Sequence, residues 1–267
     1  MPVMAKKAVL VTGAAMGVGA AIAEDLGADG WNVGVHYFTQ KDLADQVVAN
    51  IRRNGGTAHA LQANLASEAD TAGLIPQAFQ TLGALTLLIN AASVFEDDTA
   101  LTATRRCWDR HMETNLRAPF VLIQQFARQL SETESGCVIN VLDQRVLNLT
   151  PHYLSYTVSK AGLWTLTRTL ALALAPRIRV NGIGPGQEFR PAREPDAKGA
   201  AMAAAPPLDP DEHARSLPLR RRVGVEEVCR AVHFILETPS LTGQMLALDA
   251  GEHMGWALPT SVLPGGS

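Results

Sequence analysis

Tyr156 and Lys160 stand four residues apart in a helical stretch of sequence, a spacing that sets both side chains on one helix face. A lysine ammonium beside a phenol favours the phenolate, which equips the tyrosine to exchange a proton near neutral pH. Thirteen residues before the tyrosine, and three beyond Asn140, stands Asp143. Far upstream, Thr12-Gly13-Ala14-Ala15-Met16-Gly17-Val18-Gly19 places three glycines between an apolar run and a helical pattern. Glycines there let the backbone approach a pyrophosphate, and the helix N-terminus beyond them offers unpaired N–H groups. A general acid beside a dinucleotide that carries hydride is the chemistry these residues suit; a tight turn with no ligand is the alternative for the glycines.

Elements that could position these groups follow in regular alternation. The strand Ala8 to Val11 leads into the glycine turn, and a helix opens near Gly17. Trp31 to Tyr37 is expected as a strand, Lys41 to Asn54 as a helix, and Ala58 to Gln62 as a third strand. A helix around Asp70 to Leu82, interrupted by Pro76, precedes the strand Leu85 to Ile89. One long helix through Trp108 to Leu130, the strand Cys137 to Val141, a helix from Tyr153 to Ala175 and the strand Ile178 to Gly182 continue the pattern. A helix Glu226 to Leu236 and a strand Gln244 to Leu248 close it. Uniformly apolar short strands between helices predict a doubly wound α/β fold, a single parallel sheet of Rossmann type with helices on both faces. All 267 residues are assigned to one domain; the Pro-, Ala- and charge-rich segment Gln187 to Ser216 breaks the rhythm and is expected as a substrate-covering loop or a solvated linker.

Composition removes other function classes. Apolar residues make up 47% of the chain and charged ones 18%, the balance of a globular protein. A net charge of −3 offers no basic stripe for nucleic acid. Cys107, Cys137 and Cys229 form neither a disulfide framework nor a metal knuckle, which points to a reduced, cytoplasmic setting, and the seven scattered histidines suggest no metal. No run approaches the ~20 apolar residues of a membrane span. The second strand end reads His36-Tyr37-Phe38-Thr39-Gln40-Lys41 with no carboxylate before Asp42, so an adenosine 2′-phosphate is not repelled and NADP(H) is favoured over NAD, although no arginine is present to clamp that phosphate.

From Thr12 to about Gly251 the chain resembles the short-chain dehydrogenases/reductases. The resemblance rests on the Thr-Gly-x-x-x-Gly-x-Gly turn, Asn90-Ala91-Ala92-Ser93, Asn115, and Tyr156-x-x-x-Lys160 with Pro185-Gly186 after the sixth strand. It implies a catalytic set of Asn115, Tyr156 and Lys160, with Asp143 where the family ordinarily has serine. It also implies cofactor contacts at Gly13, Gly17, Val18, Gly19, His36, Tyr37, Asn64, Leu65, Asn90, Ala91, Ala92, Tyr156, Lys160, Pro185 and Gly186. A carboxylate repels an alkoxide growing on a ketone oxygen but suits a C=N nitrogen that must gain a proton. This Asp-Tyr-Lys set is similar to the pteridine reductase and dihydromonapterin reductase branch. There Ser93, Phe95, Asp143 and Tyr156 would meet the substrate, Phe95 stacking on a pterin ring; ordinary packing is the alternative for Phe95. Gly17 departs from that branch, which often has a basic residue in its place. Asp143 as a mere cap, with Ser155 or Ser159 serving the substrate, is the alternative at that position. The expected function is NADPH-dependent reduction of a pteridine C=N; a ketone or 3-oxoacyl reductase and a silent NADP(H) sensor are the rivals. The helix after Lys160, apolar around most of its circumference, implies a homo-oligomer, a tetramer by resemblance.

Overall fold

A computed structural model describes residues 7–186 and 210–255. Seven parallel strands form one sheet: β1 (Ala8–Thr12), β2 (Asn32–Tyr37), β3 (Thr57–Gln62), β4 (Leu85–Asn90), β5 (Gly136–Val141), β6 (Ile178–Pro185) and β7 (Met245–Leu248). Their order across the sheet is β3-β2-β1-β4-β5-β6-β7. The connections therefore reverse direction between β1 and β4, and a crevice opens at the carboxyl ends of those strands. The doubly wound fold expected from the alternation is the one observed.

Side chains alternate across each strand, and the sheet has two cores accordingly. Val9, Val11, Val33, Val35, Leu87 and Ile89 face one side, covered by α1 (Gly17–Ala28), α2 (Lys41–Arg53) and α8 (Val225–Glu237). Leu10, Leu88, Val138 and Val180 face the other, covered by α3 (Glu68–Leu82), α5 (Ala118–Gln129) and α6 (Leu154–Ala173). Pro76 does not break α3, which starts at the Ser67 cap.

Three expectations are corrected. The long helix is not uniform: α4 (Arg105–Met112) and α5 are separated by a π-helical turn, Glu113–Arg117. β6 extends through Pro185, so that residue ends the strand and does not follow it. Part of the expected irregular segment is helical, α7 (Pro210–Ser216). The remainder of the expected covering loop, 187–209, and the tail beyond 255 lie outside the described residues.

Candidate active site

Gly13 has φ +64, and a Cβ there would come within 2.7 Å of the Ala92 Cα, so only glycine lets β1 turn this close to the end of β4. Gly17, at φ +59, has open space where a Cβ would point. The helix that follows starts without a side-chain cap and with no acidic residue in its first turn. Its N-terminus opens on a cleft of about 600 Å³. A donor-rich, carboxylate-free turn closed by glycines fits the pyrophosphate of a dinucleotide.

Thr12 ties the cleft floor together, its Oγ1 accepting from the N–H groups of Ala91 (3.0 Å) and Ala92 (3.1 Å). The cleft is lined by Gly13, Gly17, Val18, Gly19, His36, Tyr37, Asn64, Leu65, Ala91, Ala92, Ser93, Phe95, Asp143, Tyr156, Lys160, Pro185 and Gly186, and also by Met16, Phe38, Thr39, Gln40, Arg110 and Thr114. Two expected residues are not on its wall. Asn90 is buried and donates to Asn140 Oδ1 at 2.8 Å, tying β4 to β5. Asn115 is fully buried in the π turn; its amide donates to the Val94 carbonyl and its Oδ1 accepts the Val94 N–H, at 2.9 and 2.8 Å.

His36 lines the cleft and also braces the glycine turn. Nδ1 accepts the Gly13 N–H at 3.0 Å, which leaves Nε2 to donate to the Ala63 carbonyl at 3.2 Å. Burial pushes the imidazole down to about 4, partly offset by the bond to Ala63. It is a neutral brace for the glycine turn and not a cation for a phosphate. Lys41 is paired with Asp45.

At the other end of the cleft the Tyr156 hydroxyl donates to Asp143 Oδ2 at 2.8 Å, and both residues are buried. Lys160, on the same face of α6, donates to the Val141 carbonyl at 2.8 Å, its Nζ lying 5.8 Å from the Tyr156 ring centroid. Burial lowers the ammonium to about 8, opposed by the charge of Asp143. Asp143 is also the cap of a short 3₁₀ turn, accepting the Arg145 N–H at 2.8 Å, so the capping role and the tyrosine contact coexist. Ser155 and Ser159 are fully buried and absent from the cleft wall, whereas Asp143 lines it beside Tyr156.

Arg145 went unrecognised in the sequence, where a lone arginine in a loop carries no spacing signal. It is 2% exposed, its guanidinium lying 3.3 Å from both Asp143 oxygens. The same group lies 5.9 Å from the Phe95 ring and 5.3 Å from the Tyr153 ring. Phe95 is itself stacked on Tyr153 at 4.3 Å and meets Tyr156 edge-on at 4.6 Å. Tyr153 thus covers one face of Phe95, and Phe95 remains on the cleft wall.

The sequence profile of the short chain dehydrogenase family matches residues 7–189. The 3-oxoacyl-acyl-carrier-protein reductase FabG of Staphylococcus epidermidis is 31% identical over 93% of this chain and 99% of its own length. Among solved structures, FolM alternative dihydrofolate reductase 1 from Brucella canis, complexed with NADP, superposes with a TM-score of 0.84 at 39% identity, covering 97% of this chain and 99% of that one. The Brucella suis protein of the same name, also with NADP, gives 0.83 and 40%, covering 95% and 98%. Fold, cleft and sequence agree, and the chain belongs to the short-chain dehydrogenase family.

Proposed function

We propose that this protein is an NADPH-dependent reductase that delivers hydride to a ring C=N of a pteridine of the dihydropterin, dihydrobiopterin or dihydrofolate type. The observation that carries the proposal is the 2.8 Å bond from the Tyr156 hydroxyl to Asp143, a carboxylate at the family's serine position. Likeness to two dihydrofolate reductases complexed with NADP supports both substrate class and cofactor.

The glycine turn, braced by His36, binds the pyrophosphate, and Lys160 holds the ribose next to the nicotinamide. The reduced cofactor supplies hydride when bound. Tyr156 supplies the proton, and Asp143 orients its hydroxyl and stabilises a basic ring nitrogen as it gains charge. A serine would donate to a ketone oxygen; Asp143, held beside Arg145, presents a carboxylate acceptor instead. Ser93 and Phe95 form the substrate wall. Asn115 spends its side chain on Val94 and Ser159, so it fixes that wall.

Reduction of a ketone is the second reading, favoured by the 31% identity to a 3-oxoacyl reductase. NADPH absorbance followed on addition of dihydrobiopterin, dihydrofolate or a panel of ketones decides among the readings. Oxidation with the pteridines is the expected result. Oxidation with ketones alone overturns it, and tight NADPH binding without turnover identifies a sensor.

We also propose a homotetramer working in the cytoplasm. Supporting this are three free cysteines and the exposed Val158 and Leu172 of α6, the latter 83% exposed. No helix among the described residues is long and apolar enough to cross a membrane.

A further inference from the structure

Behind the cleft wall, Asp98, Cys107, His111 and Ser155 form a polar cluster that the mechanism above does not use. Ser155 and His111 are fully buried and Asp98 nearly so. Its composition invites two familiar interpretations, and the hydrogen-bond directions implied by the Glu96 N–H argue against both.

The Glu96 N–H donates to His111 Nε2 at 3.1 Å, so Nε2 carries no proton and the neutral ring carries one on Nδ1. That Nδ1–H faces Ser155 Oγ at 2.7 Å, and the serine hydroxyl in turn donates a hydrogen bond to Asp98 Oδ2 at 2.5 Å. Burial holds His111 below its ordinary value, against the pull of Asp98 and Glu96. A nucleophilic serine needs a histidine that accepts its proton; here the histidine donates. A metal could reach Asp98, Cys107 and His111, whose ligand atoms lie within 4.8 Å of one another. To bind at Nδ1 the ring would have to move its proton to Nε2, against the Glu96 N–H, and the serine hydroxyl lies between the histidine and the carboxylate.

What the cluster does join is the segment carrying Phe95 to the start of the helix carrying Tyr156. Tyr153, Leu154 and Ser155 direct their N–H groups to Asp97 Oδ1 (3.3 Å), the Asp98 carbonyl (3.1 Å) and Asp98 Oδ1 (3.0 Å). The loop therefore caps α6, which has no side-chain cap of its own. His111 grips the same loop from α4.

We infer that the chain Glu96–His111–Ser155–Asp98 sets the distance between the substrate wall and the proton donor, making His111 and Ser155 positioning residues for substrate affinity. This rests on the assignment of Tyr156 as proton donor and of the Ser93–Phe95 side as substrate wall, which the pteridine and ketone readings share. With the wall loosened, substrate is held less well while the cofactor end of the cleft is untouched, a pattern of raised KM with retained kcat.

The test uses NADPH-loaded full-length protein carrying His111→Leu, His111→Gln, Ser155→Ala or Cys107→Ala. His111→Leu is expected to raise KM about tenfold or more, with kcat and NADPH affinity within about threefold of the parent. His111→Gln, whose amide oxygen can take the Glu96 N–H, should recover most of that loss. Cys107→Ala, which removes a metal-ligand type but leaves the chain, should match the parent. Amide hydrogen exchange over residues 94–98 should quicken in His111→Leu and Ser155→Ala, whatever substrate the enzyme takes. Unchanged KM in His111→Leu, unchanged exchange, or an equal loss in Cys107→Ala overturns the inference. If the parent reduces ketones but not pteridines, the pteridine reading fails and KM is read with the ketone. If it reduces neither, the exchange rates decide.

Discussion

Asp143 takes part in more interactions than a serine in its place could. It accepts the Tyr156 hydroxyl, caps the 3₁₀ turn through the Arg145 N–H, and pairs with the Arg145 guanidinium. Replacing it by serine removes the acceptor that holds the phenol and leaves a buried guanidinium without its counter-charge. Asp143→Ser is expected to lower pteridine turnover by ~10²-fold or more, with NADPH affinity changed far less; unchanged turnover would remove Asp143 from the chemistry. Lys160 gives a pH-dependent companion to this. Its folded-state value is depressed to about 8, so the ammonium is present below that pH and lost above it. NADPH affinity, followed by fluorescence quenching, should therefore weaken as pH rises through about 8. Affinity constant across that range would show that the lysine charge does not hold the cofactor.

At the scale of elements, the glycine turn and the π turn do the positioning. Gly13→Ala forces a side chain into the left-handed region and against the Ala92 backbone. The strain of such a residue is about 1–3 kcal/mol, and β1 can relieve it only by withdrawing from the end of β4. NADPH binding should be lost while the far-ultraviolet circular dichroism of the fold persists; binding like the parent's would show that the close approach is dispensable. The glycine turn was legible from its residues because the backbone requirement selects glycine directly. The π turn was not. Periodicity from Trp108 to Leu130 supports one helix, and the extra residue per turn that brings Asn115 to Val94 leaves no local mark on composition. Pro76 shows the opposite case, a breaker by propensity that tertiary packing of α3 overrides.

Across the whole molecule, His36 connects three parts of the sheet: it stands on β2, accepts from the turn after β1, and donates to Ala63 just beyond β3. Its folded-state value of about 4 lies below the ordinary 6.5, so the unfolded chain takes up a proton that the native state refuses. The stability this neutral contact provides is complete above pH 6.5 and is lost as the pH falls towards 4, a loss of about 3 kcal/mol. Urea unfolding at neutral and acid pH should show that slope in the parent and a shallower one in His36→Gln; equal slopes would place the acid sensitivity elsewhere. Sedimentation is expected to give a tetramer, and a monomer would leave the exposed apolar residues of α6 unexplained.

The sequence alone determined the alternating elements, the single parallel sheet, the glycine turn and the Tyr156–Lys160 spacing, because each is encoded in local period, backbone conformational demand or fixed spacing; Asp143 stood out only through the family resemblance. Tertiary structure alone decided that His36 faces inward, that Arg145 lies beside Asp143, that Phe95 lies on Tyr153 and that His111 grips the loop capping α6. Those partners are brought together by chain segments remote in sequence or by side-chain direction. A one-dimensional pattern records neither the distance nor the proton between them.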